Sequence, residues 1–170
     1  MRQEDPYQSL ARQALEHAIS GIEIDTVEVT DEMLTRRAGV FVSLHYQGQL
    51  RGCIGTIAPT TENIAQEIIQ NAASAGLHDP RFNPVSADEL PLLVYKVDVL
   101  AEPEPISDAS ELDVKRYGVI VTSGYRRGLL LPNLEGVDTV EQQISIARQK
   151  AGIPANEPIE LERFEVVRHE

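Results

Sequence analysis

The stretch GVFVSLHYQGQLRGCIGTI, residues 39–57, decides the fold class of this protein. Both of its halves are rich in β-branched and aromatic residues, a composition typical of strands. Gln47-Gly48 lies between the halves and suits a two-residue turn. The pattern therefore predicts a β-hairpin whose strands cover residues 39–46 and 49–57.

A two-residue loop also fixes which residues face each other across the hairpin. The expected pairs are Tyr46 with Gln49, Leu44 with Arg51, and Val42 with Cys53. In this register Arg51 and Cys53 share one face, beside the small residues Gly52 and Gly55. A guanidinium near a thiol favours the thiolate, and glycines leave backbone room for a ligand.

Three other segments carry apolar residues at helical spacing. The predicted helices cover residues 7–19, residues 64–73, and a segment that begins at Thr139 and ends near Gly152. For the second helix we expect Thr60 or Thr61 as the N-cap, because a hydroxyl can accept a hydrogen bond from the first turn.

The remaining strand-like segments are 92–101, 117–123, 128–131 and 159–167. Because strands arrive in adjacent pairs, we predict an α+β fold with a mainly antiparallel sheet and about three helices. A chain of 170 residues suits one domain, here residues 1–170. Residues 102–113 contain two prolines and five acidic residues, which predicts an exposed connection outside the sheet and a candidate border between two lobes.

The charge balance narrows the possible partners. The chain has 15 basic and 27 acidic residues, a formal net charge of −12. Such a chain repels phosphate backbones and anionic lipid surfaces, so we expect neither nucleic acid nor membrane as a partner. The sequence contains no apolar run of the roughly 20 residues needed to span a bilayer, and a cytoplasmic location is expected.

Cys53 is the only cysteine, which rules out an intramolecular disulfide and a four-thiolate metal or cluster site within one chain. The phosphate-binding loop signature and the serine-hydrolase elbow are both missing from the sequence. The four histidines are scattered along the chain. We therefore predict no metal site and no cofactor.

Residue chemistry alone leaves two interpretations of Cys53 open. In one, Cys53 is a reactive thiol whose charged form Arg51 supports. In the other, it is a small buried apolar residue, and the neighbouring glycines mark a bulge or close packing.

The segment Leu50-Arg51-Gly52-Cys53-Ile54-Gly55 matches, residue for residue, the hallmark motif of the AMMECR family, named for the Alport syndrome, midface hypoplasia and elliptocytosis chromosomal region. Three further segments resemble family motifs: GVFVSL at 39–44, DPRF at 79–82, and the segment 117–132. The resemblance covers nearly the whole chain.

This resemblance implies a compact fold with a larger and a smaller lobe. It also implies a bacterial or archaeal setting in which the protein accompanies a Memo-like protein and a radical-SAM protein, as the A component of an AmmeMemoRadiSam system. With one cysteine, the chain cannot itself hold a radical-SAM cluster through three thiolates. The resemblance implies no particular reaction.

Two functional hypotheses follow. The first is an accessory module that binds a ligand or partner through a cleft formed by Arg51, Gly52, Gly55, Asp79 and Arg81. For Asp79 and Arg81 a structural loop with a local charge pair is the favoured alternative. The second is a thiol-dependent enzyme in which Cys53 acts on a small or peptide-borne substrate. The sequence specifies no base for the thiol, which favours the binding module and leaves enzymatic activity open.

Overall fold

A computed structural model of the protein describes residues 3–26 and 28–170. Its strands are β1 (Val40–Tyr46), β2 (Gln49–Gly55), β3 (Leu93–Leu100), β4 (Glu104–Ile106), β5 (Gly118–Ser123), β6 (Arg126–Leu130), β7 (Glu160–Phe164) and β8 (Val166–His169). Its α-helices are α1 (Pro6–Ser20), α2 (Asp31–Thr35), α3 (Ile64–Leu77) and α4 (Val140–Ala151), and short 3-10 helices cover Ala87–Leu92 and Ala109–Glu111. The fold is α+β with two antiparallel sheets and three long helices, which confirms the predicted class.

The chain divides into two compact units. One unit ends at Leu100 and also takes in Val167–Glu170, and the other covers Ala101–Val166. Each unit has its own sheet, with strand order β2-β1-β3-β8 in the first and β4-β7-β5-β6 in the second.

The first unit packs α1 and α3 against one face of its sheet. Alternate residues of β1, Val40, Val42 and Leu44, are fully buried in this core. The helices contribute buried residues such as Leu15 and Ile68. This alternation is the period of two that a strand requires when only one of its faces is covered by helices.

The second unit has a smaller core beneath α4. Val119 and Val121 of β5 are buried there with Ala147 of α4. The helix begins after Thr139 as predicted, with a capping box in which Thr139 and Gln142 exchange hydrogen bonds, and it ends at Gly152 in the left-handed region (φ 71°). The sequence therefore predicted both ends of α4 correctly.

Several expectations are wrong in detail. The segment 102–113 was expected to lie outside the sheet, but β4 occupies Glu104–Ile106 and pairs with β7. Pro105 is tolerated because β4 is an edge strand. The segment 159–167 is two strands rather than one, with β7 in one sheet and β8 in the other.

The N-cap of α3 is Asn63, whose side chain accepts a hydrogen bond from the Gln66 backbone N–H at 2.8 Å. Thr60 and Thr61, the expected caps, instead bind the carboxylate of Glu67. Across the described ranges, no helix is long and apolar enough to cross a membrane.

Candidate functional site

The β1–β2 hairpin turns at Gln47-Gly48, as predicted, and both residues adopt positive φ (51° and 78°). Positive φ at both central residues is the geometry of the tight turns that match the twist of a hairpin. The expected pair of Tyr46 with Gln49 is present. The turn is therefore the part of the hairpin that local sequence determines.

The register beyond the turn is shifted by one residue. Leu44 faces Gly52 and Ser43 faces Cys53, so the expected pairs of Leu44 with Arg51 and Val42 with Cys53 are wrong. Leu50 faces His45, and Gly52 faces Leu44, which is adjacent to His45 in β1. Arg51 is therefore the extra residue of a β-bulge. The bulge separates Arg51 from the regular ladder that contains Cys53.

Gly52 is where the hairpin meets α3. A Cβ atom at this position would lie 2.1 Å from the backbone carbonyl oxygen of Ala75, far inside van der Waals contact. At Gly55 the corresponding atom would lie 2.2 Å from the Phe41 ring. The first glycine thus permits a close approach of two backbones, and the second accommodates an aromatic side chain.

Asp79, in the loop after α3, joins that loop to the hairpin. It is buried, and one carboxylate oxygen accepts a hydrogen bond from the Cys53 backbone N–H at 3.0 Å. β2 is an edge strand, so Asp79 supplies an acceptor that the sheet does not. Hydrogen bonds from Arg81, followed by the one from Cys53, outweigh burial and hold the pKa of Asp79 at about 2. Asp79 is therefore an anion at neutral pH.

Arg81 binds Asp79 through one edge of its guanidinium. Its Nε donates to one carboxylate oxygen at 3.1 Å and its Nη2 donates to the other at 2.8 Å. The side chain remains 54% exposed and its guanidinium lies 5.4 Å from the centre of the Phe82 ring. The hydrogen bond to Asp79 raises the pKa of Arg81, and a charge interaction with Cys53 acts in the same direction.

Arg51 is held in a parallel way by Glu89, but with less exposure. Its Nε and Nη2 donate to the two Glu89 oxygens at 2.8 and 3.1 Å. Its Nη1 donates to the backbone carbonyl of Asn83, and its Nη2 also donates to that of Pro84. The hydrogen bonds from Arg51 to Glu89, with a further contribution from the Ser86 backbone N–H, lower the pKa of Glu89. Arg51 therefore fixes the loop that carries Arg81.

Cys53 is half-buried, and its sulfur accepts a hydrogen bond from the Ser43 hydroxyl at 3.3 Å. The cation expected beside this thiol was Arg51, which is instead paired with Glu89. The guanidinium whose pKa responds to the charge of Cys53 is that of Arg81.

The loop after β2 is anchored by a carboxylate inside α3. Glu67 is fully buried and accepts hydrogen bonds from the Thr56 hydroxyl at 2.6 Å and from the backbone N–H groups of Thr60 and Thr61 at 2.6 and 2.7 Å. Burial alone would raise the pKa of Glu67, but these hydrogen bonds outweigh it and lower the pKa. Asn71, one turn along α3, also donates to Thr56 and to the Val40 carbonyl.

An open cleft of about 430 Å³ lies beside Arg51 and Arg81 in the first unit. Its lining consists of Arg51, Pro80, Arg81, Phe82 and Asn83. The volume falls in the range of small-ligand sites, but the lining is more polar than such sites usually are.

The structure brings together most of the residues proposed from sequence. Arg51 and Arg81 line the cleft, and Asp79 joins Arg81 to the Cys53 backbone. Gly52 packs against α3 and Gly55 against Phe41, so neither glycine is part of the lining. Sequence reasoning missed Glu89 and Glu67. The sequence marks Glu89 as the end of a Ser86-x-x-Glu89 capping box, which is present, and as part of the family motif that follows Asp79, but it gives no signal of the bond from Arg51.

Within residues 3–26 and 28–170, no group of three or more His, Cys, Asp or Glu side chains is placed to hold a metal ion.

Comparison with known proteins extends the family resemblance to the whole chain. The AMMECR1 family model matches residues 8–169. A protein of Thermotoga maritima is 54% identical over 98% of both chains. A protein of Clostridium acetobutylicum is also 54% identical over 99% of this chain, which spans only 36% of that longer protein.

A solved structure agrees in fold. The crystal structure of an uncharacterised protein from Pyrococcus horikoshii has a TM-score of 0.83 and 32% identity, and the alignment covers 97% of this chain and 91% of the other. With a family model across nearly all of the sequence and a full-length relative at 54% identity, the chain belongs to the AMMECR1 family.

Proposed function

We propose that this protein is an accessory binding module that acts in the cytoplasm and engages a ligand or partner protein through the cleft beside the Cys53 hairpin. The observation that carries this proposal is the pairing of both cleft guanidiniums with carboxylates. Asp79 orients Arg81, and Glu89 orients Arg51, each through two hydrogen bonds. Such pairing fixes the shape of a recognition surface before anything binds, which lowers the ordering cost of binding.

The same pairing argues against proton transfer at this cleft. A general base must be able to take up a proton near neutral pH. Asp79 is held at a pKa of about 2, and its oxygens are occupied by Arg81 and by the Cys53 backbone N–H. Asp79 therefore suits the positioning of the loop better than acid–base catalysis.

For partners, the family resemblance suggests the Memo-like and radical-SAM proteins. The Clostridium acetobutylicum relative supports a role next to another protein region, since this sequence corresponds to 36% of that chain. The matched region makes up 98% of the Thermotoga maritima relative but only 36% of the Clostridium acetobutylicum one, an arrangement typical of a module.

A thiol-dependent enzyme is the alternative function, and one contact favours it. The Cys53 sulfur is half-buried and accepts the Ser43 hydroxyl hydrogen bond, next to a cleft that contains Arg81. Alkylation of native protein by iodoacetamide separates the hypotheses. Labelling that is fast and already maximal at neutral pH would favour the enzyme, and labelling only after unfolding would exclude it.

The binding proposal is tested by calorimetry with the Memo-like and radical-SAM proteins of the same organism. We expect Arg81→Gln to weaken the complex by about tenfold or more, because charge-assisted hydrogen bonds are lost. The matched control is Arg116→Gln in the other unit, since Arg116 is also exposed, paired with a carboxylate (Glu165) and close to an aromatic ring (Tyr117). Equal loss in both variants, or no complex with either protein, would contradict the proposal.

A further inference from the structure

The two guanidiniums that line the cleft differ in how many of their donors are already used. Arg51 donates to Glu89 and to the carbonyl oxygens of Asn83 and Pro84, so its Nε, Nη1 and Nη2 are all engaged. Its side chain is 17% exposed. Arg51 is thus part of the wall of the cleft.

Not all of the side-chain N–H donors of Arg81 are engaged. Its Nε and Nη2 bind Asp79, and within the described part of the chain its Nη1 has no acceptor. A guanidinium that binds one carboxylate through its Nε/Nη2 edge still presents two parallel N–H bonds along its Nη1/Nη2 edge. The 54% exposure of the side chain leaves this edge within reach of a ligand.

The presented edge is also held still. Asp79 accepts from both the side chain and the backbone N–H of Arg81, and its other hydrogen bond ties it to Cys53 in β2. The Phe82 ring lies 5.4 Å from the guanidinium carbon. A long side chain fixed in this way loses little conformational entropy when it binds.

The local charge selects among oxyanions. The positive charges of Arg81 and Arg51 are already balanced by Asp79 and Glu89. A dianionic phosphate would add two uncompensated negative charges to a protein whose net charge is −12, whereas a carboxylate adds one. A planar carboxylate also matches the planar fork of a guanidinium.

We propose that this cleft is a carboxylate-binding site, in which the Nη1/Nη2 edge of Arg81 holds the carboxylate and the Asn83 amide lies in the same lining to assist. This inference rests on the proposed binding function and names the chemical group that the cleft recognises. The carboxylate belongs either to a free small acid or to the C-terminus of a partner polypeptide.

The test is a titration of isotope-labelled full-length protein, followed by NMR, with sodium acetate, inorganic phosphate and sodium chloride at matched ionic strength. We expect saturable shifts at Arg81, Phe82 and Asn83 with acetate, and none with chloride. In Arg81→Gln the apparent affinity should fall about ten- to a hundredfold, while Arg116→Gln should bind as the wild type does. Arg81→Lys keeps the charge but lacks the fork, so an intermediate loss is expected, and this variant covers the case in which Arg81→Gln does not fold.

A short peptide, compared with the same peptide amidated at its C-terminus, identifies the source. If the peptide with an unblocked C-terminal carboxylate binds more tightly than acetate, the ligand is the C-terminus of a partner. If the two bind equally, the ligand is a free small acid. The inference is overturned if acetate causes no saturable shifts at the cleft, if phosphate binds more tightly than acetate, or if Arg81→Gln binds acetate normally. Loss of partner binding in Arg81→Gln without any acetate binding would sink this inference alone, and acetate binding without any partner complex would sink the partner side of the proposed function alone.

Discussion

The carboxylate of Asp79 accepts a hydrogen bond from the backbone N–H of Cys53 at 3.0 Å, which links the loop after α3 to the edge strand β2. The same carboxylate holds Arg81 through two side-chain nitrogens. One buried group therefore sets both the position of the hairpin and the direction of the exposed guanidinium.

This link predicts a specific response to acid. The folded-state pKa of Asp79 is depressed to about 2, below its ordinary value of 3.8, so its stabilising contribution is complete above about pH 4. That contribution is lost as the pH falls from about 4 to about 2. Its size is about 1–2 kcal/mol, after allowance for the solvent exposure of Arg81.

Chemical unfolding of Asp79→Asn across this pH range checks the prediction. The variant should be less stable than the wild type at neutral pH, and the difference should shrink as the pH approaches 2. Asp88→Asn, at an exposed position, serves as the control and should show no such trend. A stability difference for Asp79→Asn that does not change with pH would contradict this account of the loop.

Gly52 and Gly55 make a matched pair for the packing of the hairpin. Gly52→Ala places a methyl group against the Ala75 carbonyl, and a backbone atom of α3 cannot move aside without shifting the helix. For Gly55→Ala the nearest atoms belong to the Phe41 side chain, which is part-exposed and can change its rotamer. We expect Gly52→Ala to cost about 3 kcal/mol or more and Gly55→Ala to cost less, as measured by thermal or urea unfolding. Equal costs would mean that β2 and α3 are not in the contact described.

Replacement of Glu67, which does not line the cleft, should strongly lower the free energy of unfolding. Glu67→Gln replaces one of the two carboxylate oxygens with an NH₂ group, so the side chain can no longer accept from both the Thr56 hydroxyl and the N–H groups of Thr60 and Thr61. A buried donor without an acceptor costs about 2–3 kcal/mol. The exposed neighbour Glu62→Gln is the control and should leave the free energy of unfolding within about 0.5 kcal/mol of the wild type. Hydrogen exchange should also show faster opening of residues 56–61 in Glu67→Gln alone.

Arg51→Lys should destabilise the protein although it keeps the charge. A lysine cannot reproduce the two bonds to Glu89 together with those to the Asn83 and Pro84 carbonyls. We expect a loss of about 2 kcal/mol in unfolding free energy, with faster hydrogen exchange near Asn83. Unchanged exchange in this loop would show that Arg51 does not hold it.

Much of the fold could be predicted because local sequence determines it. The Gln47-Gly48 turn, the Thr139 capping box and the end of α4 at Gly152 each depend on residues within one turn of the chain. The alternation in β1 likewise indicates a strand with one covered face.

The errors arose where distant residues decide. The bulge at Arg51 depends on the contact of Gly52 with Ala75 and on the bond of Arg51 to Glu89, 38 positions away. Thr60 and Thr61 do not cap α3, because Glu67 offers them a buried carboxylate. No local pattern shows which sheet an extended segment joins, so the sequence predicted one strand over residues 159–167 where the structure has β7 and β8.

The candidate site was likewise predictable where local sequence determines it and unpredictable where distant residues do. The motif around Cys53 and the Asp79-Pro80-Arg81-Phe82 segment could be selected from sequence, but their roles could not be assigned. Arg51 and Arg81 look equivalent in the sequence, and they differ only in exposure and in the acceptors they meet. The structure favours Arg81 as the presented group because its donors are incompletely used.

The most direct measurement is the affinity of the Memo-like or radical-SAM partner for Cys53→Ser and for Arg81→Gln, with both variants first shown to be folded. If the protein is a binding module, Cys53→Ser should bind as tightly as the wild type within about threefold, and Arg81→Gln should bind about tenfold or more weakly. If Cys53→Ser abolishes binding while Arg81→Gln leaves it intact, the thiol is the functional group and the binding-module account is wrong.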